Sequence, residues 1–143
     1  MPDWEDYQNK WGGRWIIERV DQGRQEEMDD YWLETLFMLI GEHITPYIFN
    51  NIVNGAVIQT KKTKFRLAIW LKVTATTSLD PSSFFPNPNL SKDSKDKLAI
   101  TCIGEHIKKI LKIPKTIEFI AHSDGQAAQG FRTSPAGKNR IFV

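Results

Sequence analysis

Residues 4–15, WEDYQNKWGGRW, constrain this chain most tightly. Three tryptophans fall within twelve residues, from a total of five. Gly12-Gly13 is a turn signal, and the alternation of Trp15, Ile17 and Arg19 behind it predicts a strand over 14–20. Read structurally, the indoles are core residues and Glu5 is solvated. They then commit the strand to a sheet with an apolar layer behind it.

The other elements fit that layer. Acids at Glu26, Glu27, Asp29 and Asp30 open a helix predicted over 26–42, where the macrodipole favours negative charge. Trp32, Leu36, Leu39 and Ile40 form a stripe expected to face the core, with Leu33 and Phe37 on a second face. Residues 55–60 and 65–72 read as a hairpin around Lys61-Lys62-Thr63-Lys64. The segment 74–96 is polar, holds Pro81, Pro86 and Pro88, and reads as a flexible insertion. A second helix is expected over 97–113, with Ile100, Ile103, Ile107, Ile110 and Leu111 on one face and Pro114 ending it. Strands over 116–122 and 138–143 flank a small-residue loop. An antiparallel sheet with helices on one face, an α+β architecture, follows for a single domain over 1–143.

Composition excludes several classes. One cysteine, Cys102, leaves no internal disulfide and fits a reducing compartment. A net charge of +2 is too small for general nucleic-acid binding, so any phosphate contact needs local clustering. No apolar run approaches the roughly 20 residues of a membrane span. His43, His106 and His122 lack ligand spacing, and no Walker-type glycine loop is present, so neither a metal, a cofactor nor catalysis is expected. Cys102 and His106, four residues apart, read as a surface coincidence.

One pair has a sharper chemical reading. An indole can stack on a nucleobase while an adjacent carboxylate accepts hydrogen bonds from its donor edge. Trp4-Glu5 therefore suits guanine, whose Watson–Crick edge carries adjacent N–H donors. A guanine methylated at N7 is cationic and is drawn to an indole face.

The succession WED…GGRW, DDYWLETLFMLIGE, NGAVIQTKKTKFRLAIW, HIKKILKIP and GKNRIFV resembles the eukaryotic translation initiation factor 4E family from Trp4 to Val143. The resemblance implies a cytoplasmic protein, with the nucleus as a second location, that binds the 7-methylguanosine cap of messenger RNA on a curved sheet. It implies that Trp4 stacks on the base, Glu5 pairs with its donors, and Trp70 lies against the N7-methyl group. Trp70 reads equally as a core residue. Arg14, Lys61, Arg66 and Arg132 match the cations that grip the phosphates, while Thr63 stands where many members carry lysine. Without the family, the KKTK turn is a solvated hairpin tip.

Trp32, Leu33, Glu34 and Phe37 match the helix that receives an initiation factor 4G-type adaptor or a 4E-binding repressor, by a helix-in-groove mode. Phe37 replaces a smaller aliphatic residue; Leu33 and Phe37 also read as packing for a neighbouring segment. Ser134-Pro135 is a phosphorylation motif of low specificity. The family sandwiches the base between two tryptophans, and Trp4 matches the second. The first lies upstream of the positions given, so the chain is expected to be an N-terminally incomplete domain that holds the cap weakly by itself. An interaction module that binds the adaptor without the cap is the alternative.

Overall fold

The computed structural model describes residues 9, 12–19, 25–41, 43, 52–61, 64–71, 92–122 and 140–143. Strand β1 (Gly13–Arg19) is followed by α1 (Gln25–Ile40), the hairpin β2 (Val53–Lys61) and β3 (Lys64–Leu71), α2 (Lys92–Ile110), β4 (Glu118–Ala121) and β5 (Arg140–Phe142). The five strands form one antiparallel sheet in the order β2-β3-β1-β4-β5. The fold is the expected α+β arrangement, a curved and unclosed sheet with two helices among the described residues.

Alternation divides the sheet sharply. Trp15 and Ile17 of β1, Leu67, Ile69 and Leu71 of β3, and Phe119 and Ala121 of β4 share one face with both helices in a single apolar cluster. Direct cross-strand pairs bring Trp15 opposite both Ile69 and Phe119, so the central strand carries the largest ring in the middle of the core. Trp15 is completely buried, with its ring 5.4 Å from that of Phe119. Gly104 lets α2 come down onto it. A Cβ at position 104 would lie 2.3 Å from the indole, inside van der Waals contact.

The helix α2 presents Ala99, Ile100, Ile103 and Ile107 to this core, with Leu111 just past its end continuing the apolar periodicity and Ile110 partly buried. Its bounds differ from the expectation at both ends. It starts at Lys92, so residues 92–96 are helical rather than part of the insertion. No proline or glycine interrupts them, and a polar composition does not by itself oppose a helix. Residues 74–91 lie outside the described residues. The helix stops at Ile110, before Pro114: Lys112 takes a left-handed φ of 52°, and the Ile113 amide reaches back to the Lys108 carbonyl at 2.9 Å. That reversal turns Ile113 into the core.

The stripe on α1 also needs correction. The buried positions are Met28, Tyr31, Thr35 and Met38, while Trp32 and Leu39 are partly buried at its flank and Ile40 is 81% exposed. The polar members of this face are satisfied locally: Thr35 Oγ1 donates to the Tyr31 carbonyl at 2.6 Å, and Tyr31 Oη to Glu27 Oε1 at 3.1 Å. A hydroxyl bonded within its own helix can be buried at little penalty, which reading the helix by hydropathy alone does not register.

Candidate functional site

The second face of the sheet, opposite the helices, carries the cations. Cross-strand pairing sets Arg14 opposite Trp70, Ile16 opposite Ala68, and Glu18 opposite Arg66. Trp70 is 6% exposed, yet it stands outside the apolar cluster behind the sheet. The Arg14 guanidinium lies 5.5 Å from the centre of its ring, within cation–π range. On another side sits the His122 imidazole, with ring centres 4.6 Å apart.

Arg14 is half-buried, and no carboxylate pairs with it among the described residues. Burial, and secondarily the charge of Arg66, push its pKa below the usual guanidinium value. A guanidinium stays protonated in proteins, so Arg14 keeps its charge in this half-buried position. Arg66 is in a different state. Its Nε donates to Glu18 Oε1 at 2.6 Å, and a terminal nitrogen contacts the same oxygen. Lys64, two positions before Arg66 on the same strand, shares its face and is exposed.

A buried polar clip closes the opposite end of β1. The Asn9 carbonyl accepts from the Gly12 amide at 2.9 Å and from His122 Nδ1 at 2.6 Å. The Asn54 side-chain amide donates to Asn9 Oδ1, and the His122 amide donates to the Gly12 carbonyl at 3.0 Å. Asn9 thus ties the approach to β1 to the ends of β2 and β4. None of these three residues was singled out in the sequence as a group, because isolated asparagines and a lone histidine carry no spacing.

The Asn9 bond fixes Nδ1 as the protonated nitrogen of a neutral His122, leaving Nε2 buried without a partner among the described residues. Burial lowers the His122 pKa, the Asn9 bond acts the other way, and Arg14 lowers it again. The folded value therefore lies below the roughly 6.5 of an unfolded histidine. The folded state binds fewer protons there, so this contribution to stability is present above about pH 6.5 and is lost as pH falls through the lower folded value. His122→Asn, which keeps a donor near the Nδ1 position, should flatten that acid limb. Urea midpoints of both proteins at pH 7.5 and 5.0 measure it; identical pH dependence would show that His122 does not titrate this way.

Trp4, Glu5, Arg132 and the side chain of Lys61 lie outside the described residues; the backbone of Lys61 pairs with Lys64 at the hairpin end. The four α1 residues expected to receive an adaptor divide between two environments. Trp32 packs partly against the core, Glu34 is exposed, and Leu33 and Phe37 are 51% and 63% exposed. Ile40, expected on the core stripe, joins Leu33 and Phe37 at helical spacing instead.

Comparison with known proteins gives a consistent result. Residues 1–136 match the family model described as Eukaryotic initiation factor 4E. The human eukaryotic translation initiation factor 4E is 33% identical over 144 residues, covering 99% of this chain and 54% of the relative. The Aplysia californica factor is 33% identical over 145 residues, covering 100% of this chain and 55% of its own length. The chain thus spans about half the length of the curated relatives it matches. A schistosome eIF4E complexed with m7GpppA and 4E-BP superposes with a TM-score of 0.66 at 31% identity, over 99% of this chain and 64% of that one. Ascaris suum eIF4E-3 with m7G cap shares the fold, with a TM-score of 0.68 at 24% identity, over 100% and 63% of the two chains.

Proposed function

The chain belongs to the eukaryotic initiation factor 4E family, and from that premise we propose that it forms much of a receptor for the 7-methylguanosine cap of messenger RNA. The carrying observation is the half-buried Arg14 over Trp70, on the sheet face turned away from the helices and without a carboxylate partner among the described residues. A cation held beside an indole, with a second arginine further along the same face, is an arrangement that suits an anion tethered to a flat ring. Trp4 and Glu5 supply the stack and the acceptors for the guanine edge, and Trp70 meets its N7-methyl group. Arg14, Lys61, Arg66 and Arg132 neutralise the phosphates. The recognition is binding without bond chemistry.

The other layer of the fold serves a protein partner. Leu33, Phe37 and Ile40 form an exposed apolar stripe on α1, backed by Trp32 and bordered by Glu34. An adaptor or repressor with apolar anchors docks here and links the bound messenger to the initiation machinery. The solved relative bound to m7GpppA and 4E-BP supports both halves of this reading. Because the two sites use opposite faces of one sheet-and-helix sandwich, a chain that lost one could keep the other. The exposed stripe also suits an interaction module that holds the adaptor alone.

Tryptophan fluorescence titration of the whole natural protein tests the cap reading. We expect m7GTP to bind about 2- to 30-fold tighter than GTP, the range that a cation–π gain of about 0.5–2 kcal/mol provides. Equal affinity for the two nucleotides would remove cap recognition and leave the adaptor module.

A further inference from the structure

We propose that Glu18 sets how strongly this site takes highly charged phosphate chains, by holding the guanidinium of Arg66 whenever no phosphate is bound. The inference rests on the cap-binding reading and concerns a residue that reading does not use.

Glu18 and Arg66 stand directly opposite each other on β1 and β3, on the face that carries Arg14 and Trp70. Arg66 directs Nε and a terminal nitrogen to one carboxylate oxygen of Glu18. That Nε edge is one of the paired-donor edges a guanidinium offers to a phosphate bidentately. An incoming oxyanion must therefore displace Glu18 or accept a poorer geometry. The pair is roughly half exposed on both sides, at 48% and 47%, so water competes for it. Exposed pairs of this kind are weak, which makes Glu18 a competitor that phosphate can displace rather than a permanent block.

Glu18 acts twice. Before binding it occupies Arg66, and after binding its carboxylate remains near the phosphates as a like charge. Both effects grow with the charge of the ligand, and neither concerns the base. Arg14, without such a partner among the described residues, is available at once. The two arginines thus differ: one answers to any anion beside Trp70, while the other responds only to a ligand with enough charge to outcompete a carboxylate. A single residue tunes the phosphate response without altering the base slot.

The test uses the whole natural protein, its Glu18→Gln variant, and both forms in an Arg66→Gln background. The probes are m7GTP, m7GMP and 7-methylguanosine, at several salt concentrations. Glu18→Gln should tighten m7GTP binding about two- to fivefold, the size expected for releasing an exposed pair. The gain should shrink for m7GMP and vanish for 7-methylguanosine, and the salt dependence for m7GTP should steepen. With Arg66→Gln the gain should disappear.

An unchanged m7GTP affinity in Glu18→Gln, with the preference over GTP intact, would overturn this inference and leave the cap reading standing. Loss of that preference in the unmutated protein would overturn the cap reading itself. An equal gain for all three probes would mean that Glu18 acts through the fold, and a gain surviving Arg66→Gln would mean that it acts without Arg66. Either result also rejects the proposal.

Discussion

Trp15→Ala should lower stability by about 3–5 kcal/mol, the largest loss expected from any single truncation in this core. The indole is fully buried, faces Phe119 on the next strand, and supports the closest approach of α2 at Gly104. Its removal opens a cavity beneath the helix and beside two strands. A domain of this size has about 5–15 kcal/mol in total, so the variant sits near the unfolding threshold. Trp15→Phe provides the measurable comparison. It also removes Nε1–H, which has no acceptor among the described residues, and leaving such a group buried costs about 1–3 kcal/mol. Part of the lost packing is thereby offset. Urea denaturation should rank the unmutated protein first, Trp15→Phe second and Trp15→Ala last. A Trp15→Ala midpoint equal to that of the unmutated protein would contradict the central place given to this ring.

The largest functional effect should come from Glu5→Ala. Hydrogen bonds from the two guanine donors to a carboxylate contribute about 1.5–3 kcal/mol, so m7GTP affinity should fall roughly 10- to 150-fold. Lys62→Ala, which removes a charge from the hairpin tip, should change affinity little. Parallel titrations of the two variants decide the matter. Equal binding by both would show that Glu5 is not at the base edge.

The sheet and α2 were legible because their apolar residues repeat at the periods that strands and helices impose. Trp15, Ile17, Leu67, Ile69 and Phe119 alternate, and Ile100, Ile103, Ile107 and Leu111 recur at helical spacing. On α1 the same rule misassigned a face, because Tyr31 and Thr35 are buried with their hydroxyls bonded inside the helix while apolar Ile40 is exposed. Hydropathy sorts residues by what they prefer on average, and it does not include a bond made four residues away. The cationic face showed a similar limit. Arg14 and Arg66 stood out by their motif, but the state of each depends on a neighbour brought by strand pairing. Glu18 lies opposite Arg66 across a separation of 48 residues. Asn9 and His122 are 113 residues apart, and their bond is visible only once β1 and β4 are adjacent.

The placement of β1 between β3 and β4 has a consequence for the order in which the protein can be made. Trp15 leaves the ribosome about a hundred residues ahead of Phe119, and at ~5–20 residues per second that interval is roughly 5–20 s. Throughout it the nascent chain carries a central strand, with Trp15, Ile16 and Ile17 in sequence, whose β4 edge has no partner, while its other edge can pair with β3 once the hairpin has emerged. Pairing over so long a separation also carries a large loop-closure entropy, which slows folding. The ring that anchors the finished core thus waits about a hundred residues for its Phe119 contact, and the synthesis of this chain exposes a sticky strand edge before β4 can hide it.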